Sequence, residues 1–232
     1  MQYRFYLGID ADDQRPTAAT LLEKRLDEDS GDISYHIHRL DRFAAETDVL
    51  EYVAAILADE PYVARSSCVV NVTENPSQRL HERLTEGGLS PIGVVVTGGQ
   101  EASMEGSGFD LPGGDKAGVE DAGLIVSDHE LVQRLINHET DGSLVHEQQQ
   151  TRRTSDLAEG LRAYRMRAED GEVALSGGET PERDVEHADL VFSTALALWM
   201  GDEHGTDSTD QLAGDIPTTG RAKRLHRPDI SS

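Results

Sequence analysis

The order in which two periodicities follow one another constrains this chain more than any other feature. Residues 3–10, Tyr-Arg-Phe-Tyr-Leu-Gly-Ile-Asp, alternate so that Tyr3, Phe5, Leu7 and Ile9 share one face and Asp10 ends the strand on the other. After a loop at 11–16, residues 17–23 read as a second strand and 33–40 as a third, with Ile33, Tyr35 and Ile37 alternating. The spacing then turns helical, with Thr47 placed to cap a stripe of Val49, Leu50, Val53, Ile56 and Leu57. Residues 67–72 are a near-continuous apolar strand, 75–85 a helix stopped at Gly87-Gly88, and 92–96 a fifth strand. A meander followed by strand–helix crossovers predicts an α/β fold with a mixed five-stranded sheet flanked by helices.

The second half is less regular. Residues 100–124 are rich in Gly and acids and read as a loop insertion. Ser127-Asp128-His129-Glu130 has the capping-box pattern, opening a helix through Leu131, Val132, Leu135 and Ile136. Thr154 starts another, with Leu157, Leu161 and Tyr164. Residues 184–200 form the last and most apolar helix. From 201 the chain turns polar and ends basic, so it divides into a domain at 1–200 and a flexible tail at 201–232.

Composition enters through charge. Acidic residues number 44 against 21 basic ones, only three of them lysines (Lys24, Lys116, Lys223), for a net charge of -23. Because the acids are spread between recurring apolar segments, the pattern fits a folded protein adapted to high salt. There the screening length falls to about 3 Å at 1 M and self-repulsion is quenched. The expected location is a high-salt cytoplasm, cellular or occupied by a virus. The single cysteine, Cys68, lies in an apolar run, which excludes an internal disulfide or a cysteine-rich zinc site. The sequence shows no signal peptide and no apolar run long enough to span a bilayer, so no membrane partner is expected.

Two acids stand where chemistry is done: Asp10 at the end of the first strand, and Asp189 on the last helix, sharing a face with Glu186 and Ser193. On spacing alone, a loop-capping Asp10 and a solvated Asp189 are the ordinary readings in so acidic a chain. No G-x-x-x-x-G-K-[ST] or G-x-S-x-G occurs, Thr97-Gly98-Gly99 opens no helix, and His36-x-His38 reads as two solvent-facing strand residues.

The ordered wording adds more. Tyr6-Leu7-Gly8-Ile9-Asp10 with Pro16-Thr17-Ala18, then Val69-Val70-Asn71-Val72-Thr73, come first. Gly88-Leu89-Ser90-Pro91 with Val94-Val95-Val96-Thr97-Gly98-Gly99 follow, and His187-Ala188-Asp189-Leu190-Val191 with Ala195-Leu196-Ala197-Leu198-Trp199 close the set. Over roughly residues 3–200 this resembles the nuclease domain of phage terminase large subunits and their stand-alone relatives, which are ribonuclease H-like. The resemblance implies a divalent-metal-dependent DNA endonuclease of viral DNA packaging or related DNA processing. It implies Mg²⁺ or Mn²⁺ as cofactor, DNA as partner, and a separate ATPase or other packaging protein, since no ATPase motor is present.

Residue by residue, Asp10 matches the family's first metal ligand and Asp189 the second acid of its final His-Asp-Asp-Leu motif. Both would be catalytic. Asn71 stands where the family has an acid, offering a carbonyl oxygen without charge. Ala188 replaces the first acid of the final pair, Ser127-Asp128 a Pro-Lys, and Arg15 an Asp. Glu74, Asp12 or Asp13 are substitutes for the missing ligand, which makes the expected metal set Asp10, Asn71, Asp189 and Glu74. The alternative is a catalytically degenerate domain acting as a binding or structural module. Candidates for DNA contact are Arg152, Arg153, Arg162, Arg165 and Arg167, whose ordinary reading is helix-surface charge.

Overall fold

The computed structural model describes residues 2–11, 15–44, 46–97, 124–146, 152–169 and 185–203. Asp12, Asp13, the expected insertion up to residue 123, and the tail beyond Glu203 lie outside the described residues.

Strands β1 (Gln2–Asp10), β2 (Thr17–Leu26) and β3 (Ile33–Phe43) form the expected antiparallel meander. Helix α1 (Glu46–Ala58) leads to β4 (Ser66–Asn71), and α2 (Asn75–Glu86) to β5 (Ile92–Thr97). Then come β6 (Leu124–Ser127), α3 (Asp128–Thr140), β7 (Leu144–His146), α4 (Arg152–Glu169) and α5 (Ala188–Glu203).

The sheet runs β6-β5-β4-β1-β2-β3-β7, with β2 alone antiparallel to its neighbours. Its central order, β3-β2-β1-β4-β5 with β2 reversed, is that of a ribonuclease H-like fold. Among the described residues, two short edge strands, β6 and β7, widen the five expected strands to seven. The helices that cross toward β5 cover one face, and α3, which crosses back toward β7, covers the other, as a single crossover hand requires.

Alternation along β1 assigns the two cores. Phe5, Leu7, Ile9 and Ala11 pack with Val49, Val53, Leu80 and Leu84 of α1 and α2. Tyr6 belongs to the opposite core, with residues from α3, α4 and α5. Burial pushes the Cys68 thiol, in the first of these cores, up to about 12.

Helix α5 is buried on every side from Ala188 through Gly201, because it packs on β1 and β2 and is covered by α3 and α4. Gly8 permits this approach: a Cβ there would stand 2.1 Å from the Ser193 carbonyl and 2.7 Å from the Ala197 nitrogen. The helix starts later and ends later than its sequence suggests. Glu186 therefore lies in the turn before it, 82% exposed, and does not share a helical face with Asp189. Ser193 turns to the sheet, where it meets Thr20 at 2.9 Å. Helix α1 likewise begins one residue before Thr47.

Ser127 caps the helix as expected, its Oγ accepting from the Glu130 N–H at 3.0 Å, while the Glu130 carboxylate takes Arg134. The histidines of β3 do not face open solvent. His38 is half-buried, edge-on to Phe5 and paired with Glu23, and His36 is half-buried and bonded to Ser34.

Candidate functional site

The sheet register builds the site. Asp10 stands opposite Ala18 on β2, and Ala18 opposite Arg42 on β3. On the other side, the pairing of Ile9 with Val70 brings Asn71 of β4 beside Asp10. Directly opposed residues share a face, so Asn71, Asp10, Ala18 and Arg42 form one row beneath α5. Asp10 and Asn71 are 2% and 1% exposed.

Asn71 Nδ2 donates to Asp10 Oδ1 at 2.7 Å. The amide is oriented by its other end, where Oδ1 accepts from the Thr73 backbone N–H at 3.1 Å and the Thr73 hydroxyl at 2.6 Å. Asn71 thus presents a donor, not the expected carbonyl oxygen, to the first-strand carboxylate.

Asp189, 3% exposed in the first turn of α5, is engaged by a second donor. Arg42 Nε donates to its Oδ2 at 2.6 Å and Arg42 Nη2 to its Oδ1 at 2.8 Å, a two-point fork. The same guanidinium reaches Asp156 of α4 at 3.1 Å and His187 Nδ1 at 2.9 Å. The hydrogen-bonded Asp189 carboxylate pushes Arg42 above the usual arginine value.

His187 sits at φ +66°, in the left-handed region, and that turn directs the chain into α5 and the ring onto Arg42. Around this end an open cleft of about 320 Å³ is lined by Arg15, Pro16, Arg42, Val185, Glu186, His187 and Asp189. Asp10 and Asn71 are not part of its lining.

The structure thus brings Asp10 and Asn71 into contact and sets Asp189 on the same face through Arg42, whose Cα lies two strand spacings, about 10 Å, from Asp10. Glu74 is the N-cap residue of α2, where its carbonyl accepts from Ser77 and Gln78. Ala188 is fully buried. Sequence reasoning missed Arg42 and Asp156. Of the arginines expected to face DNA, Arg153 pairs with Asp41 and the Leu40 carbonyl, and Arg165 with Glu139. The Arg167 side chain lies outside the described residues.

A divalent ion of the type the resemblance implies needs acidic oxygens turned toward one point. Here one oxygen of Asp10 takes an amide N–H and both oxygens of Asp189 take a guanidinium. Among the described residues, no three acidic, histidine or cysteine side chains stand at metal-holding distance. As arranged, the residues do not fit that metal pair.

No family model matches this chain, and no curated protein matches it. Among solved structures, it is similar to the large terminase from a thermophilic bacteriophage, with a TM-score of 0.39 and 8% identity. That match covers 62% of this chain and 28% of the terminase, so the chain spans well under two thirds of that protein. Among the described residues, no helix is long and apolar enough to cross a membrane.

Proposed function

We propose that this ribonuclease H-like domain is catalytically degenerate and serves as a binding or structural module. The observation that carries the reading is the Arg42 fork on Asp189. Phosphodiester hydrolysis in this fold relies on carboxylates that hold two hard cations against the scissile phosphate. A guanidinium supplies charge but has no open coordination position, so it neither activates a water nor accepts a leaving oxygen. The Asn71 amide acts similarly on Asp10, adding a donor where the chemistry needs an anion. Arg153 and Arg165 are shared with Asp41 and Glu139, while Arg152 and Arg162 stay exposed, so any nucleic-acid contact would fall first to the latter two.

A second reading is a terminase-type, metal-dependent DNA endonuclease of viral DNA packaging. It is favoured by one observation: Asp10 is buried at the end of β1, beside β4, on the face that carries α5. Supercoiled plasmid incubated with Mg²⁺ or Mn²⁺ in molar KCl separates the two. The degenerate reading expects no nicking above an EDTA control, and the same result from Asp10→Ala. Metal-dependent cleavage that disappears in Asp10→Ala would establish the endonuclease instead.

A further inference from the structure

We infer that Arg4, Lys24 and Tyr6, at the end of α5 away from Arg42, form a binding site for a chloride ion. The inference is independent of the degenerate reading, and no residue of the Arg42 cleft takes part in it.

Register and alternation place the three side chains together. Arg4 stands directly opposite Lys24, and Lys24 opposite Tyr35, in one row across β1, β2 and β3. Tyr6 is two residues beyond Arg4 on the same face, which makes it the diagonal neighbour of Lys24. That face lies under α5, where Lys24 Nζ donates to the Gly201 carbonyl at 2.8 Å. Arg4 and Asp202 are both near enough to act on the charges of Tyr6 and Lys24.

What the three groups lack is an acceptor. Tyr6 is 2% exposed, and its hydroxyl has no hydrogen-bond partner among the described residues. Lys24 is 7% exposed, uses one of its three N–H groups on Gly201, and faces the Tyr35 ring at 5.7 Å. Among the described residues, no carboxylate pairs with Lys24 or with the half-buried Arg4. Like charges directly opposite on antiparallel strands are destabilising, and a buried charge needs a counter-charge. Burial pushes the Lys24 ammonium below the usual lysine value; Asp202 opposes that and Arg4 adds to it.

In a chain with 44 acids, two adjacent cations without an acidic partner call for another anion. Asp202 faces the cluster, but it already accepts from the Tyr35 hydroxyl at 2.6 Å and from Arg134 at 3.5 Å, and lies 3.1 Å from His138 Nε2. Arginine and lysine only donate, and the Tyr6 hydroxyl has a proton to give, so the set suits an anion that accepts from several sides. Lys24 and Tyr6 are nearly closed to solvent, which admits a small ion and excludes a nucleic-acid phosphate or a partner's side chain. Chloride meets both conditions.

The test uses the full chain beside Tyr6→Phe and Arg4→Gln, neither of which adds bulk to the core. Chloride binding is read from the excess width of the chloride NMR line, and melting temperature is compared in KCl and potassium acetate. At equal ionic strength the two salts screen surface charge alike. The expected result is line broadening by the unmodified protein and a melting temperature about 2 °C or more higher in KCl. Both effects shrink in each variant. Tyr6→Phe removes an unpartnered donor, so in acetate it melts no lower than the unmodified protein. No excess line width, equal melting in the two salts, or effects undiminished in either variant overturn the inference. So does a Tyr6→Phe protein that melts lower in acetate, since its hydroxyl would then have a partner already.

Discussion

Asn71 donates its side-chain N–H to Asp10 at 2.7 Å while its own Oδ1 accepts from Thr73, so the amide cannot turn its oxygen toward the carboxylate without losing two bonds. A hydrogen bond to a charged group contributes about 1.5–3 kcal/mol, and here it joins β1 to β4 beneath α5. The pair is a structural clamp made from positions where the resemblance implies ligands.

Asn71→Asp replaces that donor with a second carboxylate in a nearly water-free position. Like charges this close drive one member of the pair to hold a proton, so its folded pKa rises above its unfolded one. Destabilisation is then fully present above the raised folded pKa, fades as pH falls from there, and is gone below the ordinary carboxylate value. A cost of about 2–4 kcal/mol at pH about 7 is expected, shrinking toward pH about 4, in denaturant titrations at both pH values. Calorimetry should also show tighter Mn²⁺ binding than in the unmodified protein. Equal stability losses at both pH values would contradict the account.

Gly8→Ala tests the packing of α5. The added Cβ would meet backbone atoms of Ser193 and Ala197 at 2.1 and 2.7 Å, and backbone cannot rotate away. A loss of about 3 kcal/mol or more is expected from chemical denaturation. A loss below about 1 kcal/mol would mean that α5 does not lie so close over β1.

At the far end of α5, Asp202 accepts from the Tyr35 hydroxyl at 2.6 Å and lies 3.1 Å from His138 Nε2. Burial raises its pKa, but the bonds from His138 and Tyr35 outweigh this and hold it below the usual aspartate value. A depressed carboxylate contributes stability that is present above the unfolded pKa, about 3.9, and lost as pH falls through the folded one. Asp202→Asn should therefore destabilise by about 1–3 kcal/mol at neutral pH and flatten the acid limb of the stability curve below pH about 4. An unchanged acid limb would contradict the assignment.

Salt dependence follows from the net charge of -23. Lowering KCl from molar to low millimolar levels should lower the melting temperature, as self-repulsion loses its screening. A melting temperature that ignores KCl over this range would remove the high-salt reading.

Periodicity made the first five strands and the facing of Asp10 legible, because alternation is a local property of residues 3–10 and their partners. The edge strands β6 and β7 escaped because four and three residues carry too little alternation. Gly8 carried an unused signal, since a glycine inside an apolar strand marks a close approach of backbone. The chemistry of the site was not legible for a different reason. Arg42 and Asp189 are separated by 147 positions, and only the strand register places that arginine in the row of Asp10. Likewise, the orientation of the Asn71 amide depends on Thr73, and no residue type announces which end of an amide faces inward.

The claim that both acids are already satisfied by internal donors is tested most directly by Mn²⁺ titration of the unmodified protein beside its Asp10→Ala and Asp189→Ala variants in molar KCl. Electron paramagnetic resonance separates bound from free ion, and high salt suppresses loose binding to the acidic surface. The account predicts superimposable titrations for all three proteins, with no Mn²⁺ class that depends on either acid. A bound class in the unmodified protein that vanishes in both variants would show that Asp10 and Asp189 share a cation, and would contradict it.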